Sequence, residues 1–264
     1  MNENIENTTD ILVVGAGMVA HRLVESVLSR AEAGMRITVI GDENRAPYDR
    51  VGLTGYFAGS TPQQLTLDPG VFDDDRVTLI ADDRVTRIDR VAKTVTTRAH
   101  RSLGYDTLVL ATGSYAARVA VDGADLPGCF VYRTLDDVQA LRQFVSRRGA
   151  ELGRPLRGAV IGGGLLGLEA AGALQSLDVE CTVVQSSDRL MSAQLDIAGG
   201  GMLRRLIEAK GISVRTQSRT TRLDPDASGA VTALEFQDGS FHRATWSSSP
   251  SGSGRVTNSH APPT

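Results

Sequence analysis

The sequence predicts an α/β protein with two Rossmann-like dinucleotide-binding domains, each on a parallel sheet, and a small antiparallel sheet inserted in the first. Two observations predict this fold. A short apolar run enters a glycine-rich bend and then a helical pattern near residue 15, and the same succession restarts near residue 162. Strand, bend, helix and strand follow one another over about thirty residues each time, the length of a βαβ unit. Short apolar runs alternating with helical patterns also favour parallel over antiparallel pairing.

The first unit opens with Ile11-Leu12-Val13-Val14, which runs into Gly15-Ala16-Gly17. Val19, Leu23, Val24, Val27 and Leu28 then recur on one helical face. Gly34 ends that helix, and Ile37-Thr38-Val39-Ile40 forms the next strand. Between residues 76 and 98 the spacing changes. Val77, Leu79, Val85, Ile88, Val91 and Val95 fall in short patches separated by Asp82-Asp83 and Asp89, which predicts a small antiparallel sheet. The segment from Tyr105 to Ala111 returns as a buried strand stopped by Thr112-Gly113.

A helix is expected over 135–145, followed by an exposed linker over 147–157 that contains Pro155. Ala159-Val160-Ile161 then leads into Gly162-Gly163-Gly164, a helix to Leu177 and a strand at Cys181-Thr182-Val183-Val184. A further helix over 196–210 ends at Gly211, a strand follows at 212–214, and Leu223, Val231, Leu234 and Phe236 suggest a hairpin around 226–229. The expected domains are 1–117 and 118–242, with 243–264 as a tail.

Composition narrows the function classes. The chain has 264 residues, 41% hydrophobic and 22% charged, as ordinary globular domains do. A net charge of −3 gives no reason to expect nucleic acid or an anionic membrane as partner, and 5% aromatic content argues against a base-stacking platform. The polar start MNENIENTTD lacks the basic and apolar regions of a secretory signal, and no apolar run reaches the roughly 18 residues of a membrane span. Cys129 and Cys181 lie too far apart in sequence for a CxxC-type redox pair or metal clip, so both read as core cysteines in a reducing cytoplasm. His21, His100, His242 and His260 lack ligand spacing, and His21 is expected on a helix surface. No metal site is expected.

The two bends carry the chemistry. In Gly15-Ala16-Gly17-Met18-Val19-Ala20 the first glycine permits the sharp turn and the second admits a pyrophosphate close to the backbone. The third position, Ala20, sets how closely helix and strand approach. Free N–H groups and the dipole at the helix start favour the phosphate charge. Asp42 or Glu43, just after the second strand, could bind a ribose hydroxyl.

Gly162-Gly163-Gly164-Leu165-Leu166-Gly167 keeps all three glycines. Its second strand ends at Val184-Gln185, where an acidic residue would select NAD. Gln185 can bond a ribose hydroxyl without repelling a 2′-phosphate, and Ser186, Ser187 and Arg189 could accept one, so the choice between NADH and NADPH stays open. Two dinucleotides in one chain, one of them a flavin, suggest hydride transfer from nicotinamide to flavin. The cofactors supply the reactive atoms and the protein aligns them.

Several stretches resemble a known family. They are Gly15 to Arg22, Tyr48-Asp49-Arg50-Val51, Ala111-Thr112-Gly113-Ser114-Tyr115, Phe130-Val131-Tyr132-Arg133-Thr134 and Gly162 to Leu174. Together they are similar to the large subunit of NAD(P)H-dependent nitrite reductase and, more broadly, to the FAD-dependent pyridine nucleotide oxidoreductases. The likeness covers about residues 10–240.

The resemblance implies FAD and NAD(P)H as cofactors. Gly15, Gly17 and Ala20 would hold the FAD pyrophosphate, Glu43 or Asp42 its ribose, and Arg50 would lie near the flavin. Ala111-Thr112-Gly113 would pass close to FAD, and Glu169 would stand near the nicotinamide–flavin contact as the one candidate catalytic side chain. Gly162, Gly164, Leu165, Gly167 and Gln185 would bind NAD(P)H.

Ferredoxin reductases of this kind usually carry Lys where this chain has Gly55, which favours the nitrite reductase branch and a role in nitrate assimilation. A ferredoxin or rubredoxin reductase and an inactive truncated remnant are the rival readings. The resemblance also implies that a second FAD segment, an iron–sulfur segment and the sirohaem domain lie outside this chain. The downstream electron acceptor is therefore expected to be absent, and the chain to hold flavin weakly or not at all.

Residues 243–264 hold six Ser, three Pro and no acidic residue, which predicts disorder. Reading 245–255 one base early, with TCN serine codons, gives a run of apolar residues followed by a small one, much like the family's next strand. The tail is therefore expected to be translated out of frame, and loss of that strand to leave the second sheet with an unpaired edge.

Overall fold

The computed structural model describes residues 8–30, 34–57, 59–116, 120–244, 246–249 and 253–255. Two compact units emerge, one from residues 1–50, 61–114 and 255–264, the other from 51–60 and 115–254.

In the first unit the order is β1 (Thr9–Val14), α1 (Met18–Leu28), β2 (Met35–Ile40), α2 (Pro62–Leu65), β3 (Val77–Ile80), β4 (Val85–Asp89), β5 (Thr94–Thr97), β6 (Ser102–Gly104) and β7 (Thr107–Leu110). The parallel sheet runs β3-β2-β1-β7. β1 pairs with β2 from Thr9↔Met35 to Val14↔Ile40, and with β7 from Ile11↔Thr107 to Val14↔Leu110. Successive side chains of a strand point to opposite faces. Accordingly Val13 joins Ala20, Val24, Ile37 and Val39 in one core cluster, while Leu12 joins Ile40 and Val95 in another. Both faces of β1 are covered, which is why its apolar run does not alternate with polar residues.

β4, β5 and β6 form the expected antiparallel insert. Val77 and Leu79, which spacing alone places in the insert, belong instead to β3, which pairs in parallel with β2. Four residues of β-branched and apolar character fit an edge of either sheet, and the register with β2 decides between them. His21 is a second correction. It is buried, its Nε2 lies 2.9 Å from the Asp68 carbonyl oxygen, and its ring meets Phe72. The 3₁₀ segment Pro69–Phe72 covers that face of α1, a covering that helical periodicity alone does not reveal.

The second unit contains β8 (Ser114–Ala116), β9 (Cys129–Val131), α3 (Leu135–Leu152), β10 (Arg157–Ile161), α4 (Leu165–Gln175), β11 (Glu180–Val184), α5 (Ile197–Ala209) and β12 (Ser213–Arg215). It continues with β13 (Thr220–Pro225), β14 (Val231–Phe236), β15 (Phe241–Arg243), β16 (Trp246–Ser249) and β17 (Ser253–Arg255). Its parallel sheet runs β12-β11-β10-β16-β9. β13, β14 and β15 form an antiparallel sheet around the predicted hairpin, and β8 pairs with β17. The 3₁₀ segment Val51–Tyr56 packs on α3 and α4, so residues 51–60 group with this unit rather than with the chain that precedes them.

Two expectations change here. The helix over 135–145 extends to Leu152 and takes in half of the supposed linker. Arg147 and Arg148 pair with Glu151 along the helix, Arg148 also meets Asp226 at 2.7 Å, and Gly153 closes it at φ +60°. Charged pairs and a left-handed cap continue the helix after the apolar rhythm stops.

The expected disorder over 243–264 also gives way in part. The backbone of 246–249 forms a parallel strand between β10 and β9, with Gly158↔Trp246 and Ser249↔Val131 as the outer pairs. Ladder hydrogen bonds come from the main chain, so a Ser-rich segment can fill the slot. The remainder of the tail beyond 255 lies outside the described residues.

α3 starts on a reciprocal cap. Thr134 Oγ1 accepts from the Asp137 amide at 3.1 Å, and Asp137 Oδ2 accepts from the Thr134 amide at 2.8 Å. Thr134→Ala is expected to cost about 1 kcal/mol. A urea denaturation midpoint equal to that of the unsubstituted chain would contradict this assignment.

Candidate functional site

The first bend is built by close contact. The Gly15 amide donates to the Ile40 carbonyl at 2.8 Å, and the Ala111 amide donates to the Val14 carbonyl at the same distance. Gly15 has φ +109°, and a Cβ there would stand 2.2 Å from the Ala111 carbonyl oxygen. Glycine is required on both counts. That contact also sets Ala111-Thr112-Gly113 directly against the bend. Gly17 behaves differently, since a Cβ built on it meets nothing within 4 Å. Ala20, wholly buried, lets α1 lie close on β1.

The second bend repeats the design. The Gly162 amide donates to the Val184 carbonyl at 2.7 Å, with φ +122°. A Cβ on Gly163 would stand 2.4 Å from Leu190 Cδ2, whereas one on Gly164 meets nothing within 4 Å. Gly167 is buried on α4, and Leu165 is exposed at the helix start. The Gln185 side chain folds back on the bend, where its Oε1 accepts from the Gly163 amide at 2.8 Å.

Helix capping separates these two helices from the others. α2, α3 and α5 are capped by Thr61, Thr134 and Asp196 side chains. α1 and α4 start at Gly17 and Gly164 with no side-chain cap. Their first amides are left to a ligand or to water, and together with the helix dipole they suit a phosphate. A second glycine with free space where its side chain would be completes a cradle that a pyrophosphate fits.

The flanking acidic residues of the first bend have different partners. Glu43 accepts from Tyr48 Oη at 2.8 Å and is bonded to Arg50, whose guanidinium also lies 5.0 Å from the Tyr48 ring centre. Glu43 and Arg50, expected at the ribose and at the flavin, thus form one half-buried pair. Asp42 is more exposed and meets Arg84 and Arg98.

In the second unit Glu169 lies half-buried on α4, near Tyr132. The Tyr132 hydroxyl lies 3.2 Å from Thr54 Oγ1. Burial pushes the Tyr132 hydroxyl above the usual phenol range, hydrogen bonding to Thr54 works against that shift, and the Glu169 charge adds to it. Tyr132 and Thr54 had no assigned role in the sequence; only the presence of Tyr132 in a family-like stretch hinted at one.

Cys129 is half-buried and Cys181 buried, neither in a disulfide, and no group of metal-ligating residues occurs among the described residues. No described helix is long and apolar enough to cross a membrane.

The sequence profile of the pyridine nucleotide-disulphide oxidoreductases matches residues 9–244. The chain belongs to that family. Its members are NAD(P)H:acceptor oxidoreductases. Among relatives, the nitrite reductase (NADH) large subunit of Escherichia coli is 39% identical over 87% of this chain and 27% of its own length. The nitrite reductase [NAD(P)H] large subunit of Klebsiella oxytoca is 43% identical over 87% of this chain and 23% of its own. Among solved structures, the ferredoxin reductase of Rhodopseudomonas palustris superposes with a TM-score of 0.84 at 28% identity, covering 93% of this chain and 59% of that one. The chain therefore spans about a quarter of the nitrite reductase subunits that it matches.

The contrast between neighbouring glycines is testable. Gly15→Ala is expected to lower stability by about 3 kcal/mol through strain and overlap. Gly17→Ala should cost no more than about 1 kcal/mol of stability, the difference between Gly and Ala as a cap, but weaken FAD binding, as followed by flavin fluorescence quenching. Equal loss of stability in both variants would show that the open side of Gly17 is structural. Cys181, whose thiol is pushed up to about 12 by burial, should resist iodoacetamide at pH 8 in the folded chain, as read by mass spectrometry.

Proposed function

We propose that this chain binds FAD on the first bend and NAD(P)H on the second, and that it passes electrons from the nicotinamide to a protein acceptor in the manner of a ferredoxin reductase. When bound, the cofactors supply hydride transfer between nicotinamide and isoalloxazine. The residues of the chain bind and orient. The α1 and α4 amides hold the diphosphates, Gly17 and Gly164 admit them to the backbone, and Gln185 stands at the ribose end of the second site. Glu169, with Tyr132 behind it, provides a carboxylate on the helix that starts at the nicotinamide nucleotide.

The observation that carries this reading is the duplicated geometry. Both bends combine a left-handed first glycine, an open second glycine and an uncapped helix. The likeness to a ferredoxin reductase over most of this chain supports the acceptor class.

A second reading makes nitrite the terminal acceptor, in nitrate assimilation, with the reduction step carried by parts of the relatives' length outside the matched quarter. Identities of 39% and 43% to nitrite reductase large subunits favour it. On either reading the first half-reaction is the same.

The test is reduction of ferricyanide by NADH or NADPH in the presence of the full chain and excess FAD. Turnover is expected, together with a loss of roughly tenfold or more in Gly164→Val. Absence of turnover in a preparation that retains FAD would overturn the proposal and leave the remnant reading standing. Adding a ferredoxin with cytochrome c as reporter separates the two acceptor readings, because only a ferredoxin-type chain should accelerate cytochrome reduction.

A further inference from the structure

Past the end of β11 lies a cavity of about 540 Å³. One wall is Ser186 and Ser187, immediately after β11, and the other is Gln217, Ser218 and Arg219, between β12 and β13. The two walls are tied together by main-chain bonds. The Gln217 amide donates to the Ser187 carbonyl at 2.8 Å, and the Ser218 amide to the Gln185 carbonyl at 3.0 Å. Gln217 holds φ +52°, an uncommon conformation for a residue with a side chain, so the second wall is fixed rather than a loose loop. In a dinucleotide fold the end of the second strand meets the adenosine ribose. The cavity begins one residue past that strand end, at Ser186.

The charges around it are unequally committed. Arg189, the basic residue nearest in sequence, is engaged elsewhere. Its Nε donates to the Leu195 carbonyl at 2.9 Å, its Nη2 to the Ser192 carbonyl at 3.3 Å, and its Nη1 to Asp188 at 2.8 Å. Arg215 is engaged too. Its guanidinium lies 4.1 Å from the Phe236 ring centre and donates to Ser218 at 2.8 Å, to Ser240, and to Asp238 at 3.5 Å. Asp238, which also lines the cavity, is answered by Arg215 and by the Ser240 amide.

Arg219 differs. Its carbonyl accepts from the Gln237 amide, which fixes the backbone, but its guanidinium has no partner among the described residues. The hydroxyl of Ser186, on the facing wall, is likewise unpaired among the described residues. The amide of Gln185 is turned to Gly163 and Ser187, so no carboxylate stands at the strand end to repel a dianion.

We infer that this cavity is a 2′-phosphate site, that Arg219 is the residue that reads the phosphate, and that NADPH is accordingly the preferred nucleotide. The inference rests on the second bend being a nicotinamide nucleotide site. A phosphate monoester carries nearly two charges and three acceptor oxygens. An unpaired guanidinium fork matches it in both charge and geometry, with Ser186 as a further donor.

Binding of NADP⁺ and NAD⁺ to the full-length chain, measured by isothermal titration calorimetry, tests this without reference to turnover. NADP⁺ should bind the more tightly, and its affinity should fall more steeply with salt. Arg219→Gln should weaken NADP⁺ at least tenfold while leaving NAD⁺ within twofold, and circular dichroism should match that of the unsubstituted chain. Gln185→Glu, a second variant at the residue following β11, should reverse the preference toward NAD⁺. Tighter binding of NAD⁺ by the unsubstituted chain, or an unchanged nucleotide ratio in Arg219→Gln, would overturn the inference while leaving the nucleotide site intact. Failure of either nucleotide to bind would remove the site itself.

Discussion

In each half of this chain one hydrogen bond governs the shape of the nucleotide bend. A glycine just past the end of a strand still donates to the last carbonyl of the neighbouring strand, from Gly15 to Ile40 and from Gly162 to Val184. That bond holds the main chain in the sheet for one more residue, after which it must turn sharply into a helix. Only a positive φ makes that turn. The requirement for glycine, the short distance between helix and sheet, and the small residues at Ala20 and Gly167 all derive from it. The open sides of Gly17 and Gly164 are consequences as well, since the helix begins before any side chain can cover its first amides.

The fold is legible in the sequence because these constraints are local. A strand, a glycine bend and an amphipathic helix occupy consecutive residues, so both parallel sheets and the antiparallel insert can be read from spacing. Sequence and structure part where distant segments decide the outcome. His21 has the periodicity of an exposed helix position, but residues 69–72 fold over it and supply its partner. The side-chain pattern of β3 suits either sheet, and only its register against β2 assigns it. α3 outlasts its apolar rhythm because charged pairs and Gly153 carry it further. The Ser-rich 246–249 segment is unstructured by composition, yet its main chain lies between two strands, one of them more than a hundred residues earlier.

The site divides along the same line. Its glycines can be assigned from their order alone. The charged groups cannot, because their commitments are made through folding. Arg189 sits at the expected spacing and is taken up by carbonyls of its own loop, whereas Arg219 arrives from a different strand connection and stays available. Glu43 and Arg50, which the family resemblance puts in different roles, neutralise one another in one half-buried pair. The hydroxyl of Tyr132 feels Glu169 although 37 positions, the difference of their numbers, lie between them.

The missing caps on α1 and α4 have a thermodynamic side. Each glycine start forgoes a few tenths of a kcal/mol that a Ser, Thr or Asp would contribute. On the proposed function, the diphosphate of a bound nucleotide would take over that task, so that ligand and helix end would form one folding unit. At about a hundred times its dissociation constant such a ligand adds about 2.7 kcal/mol to the folded state. The heat resistance of such a chain would then be set partly by the nucleotide pool around it, each half registering its own ligand as a change in melting temperature.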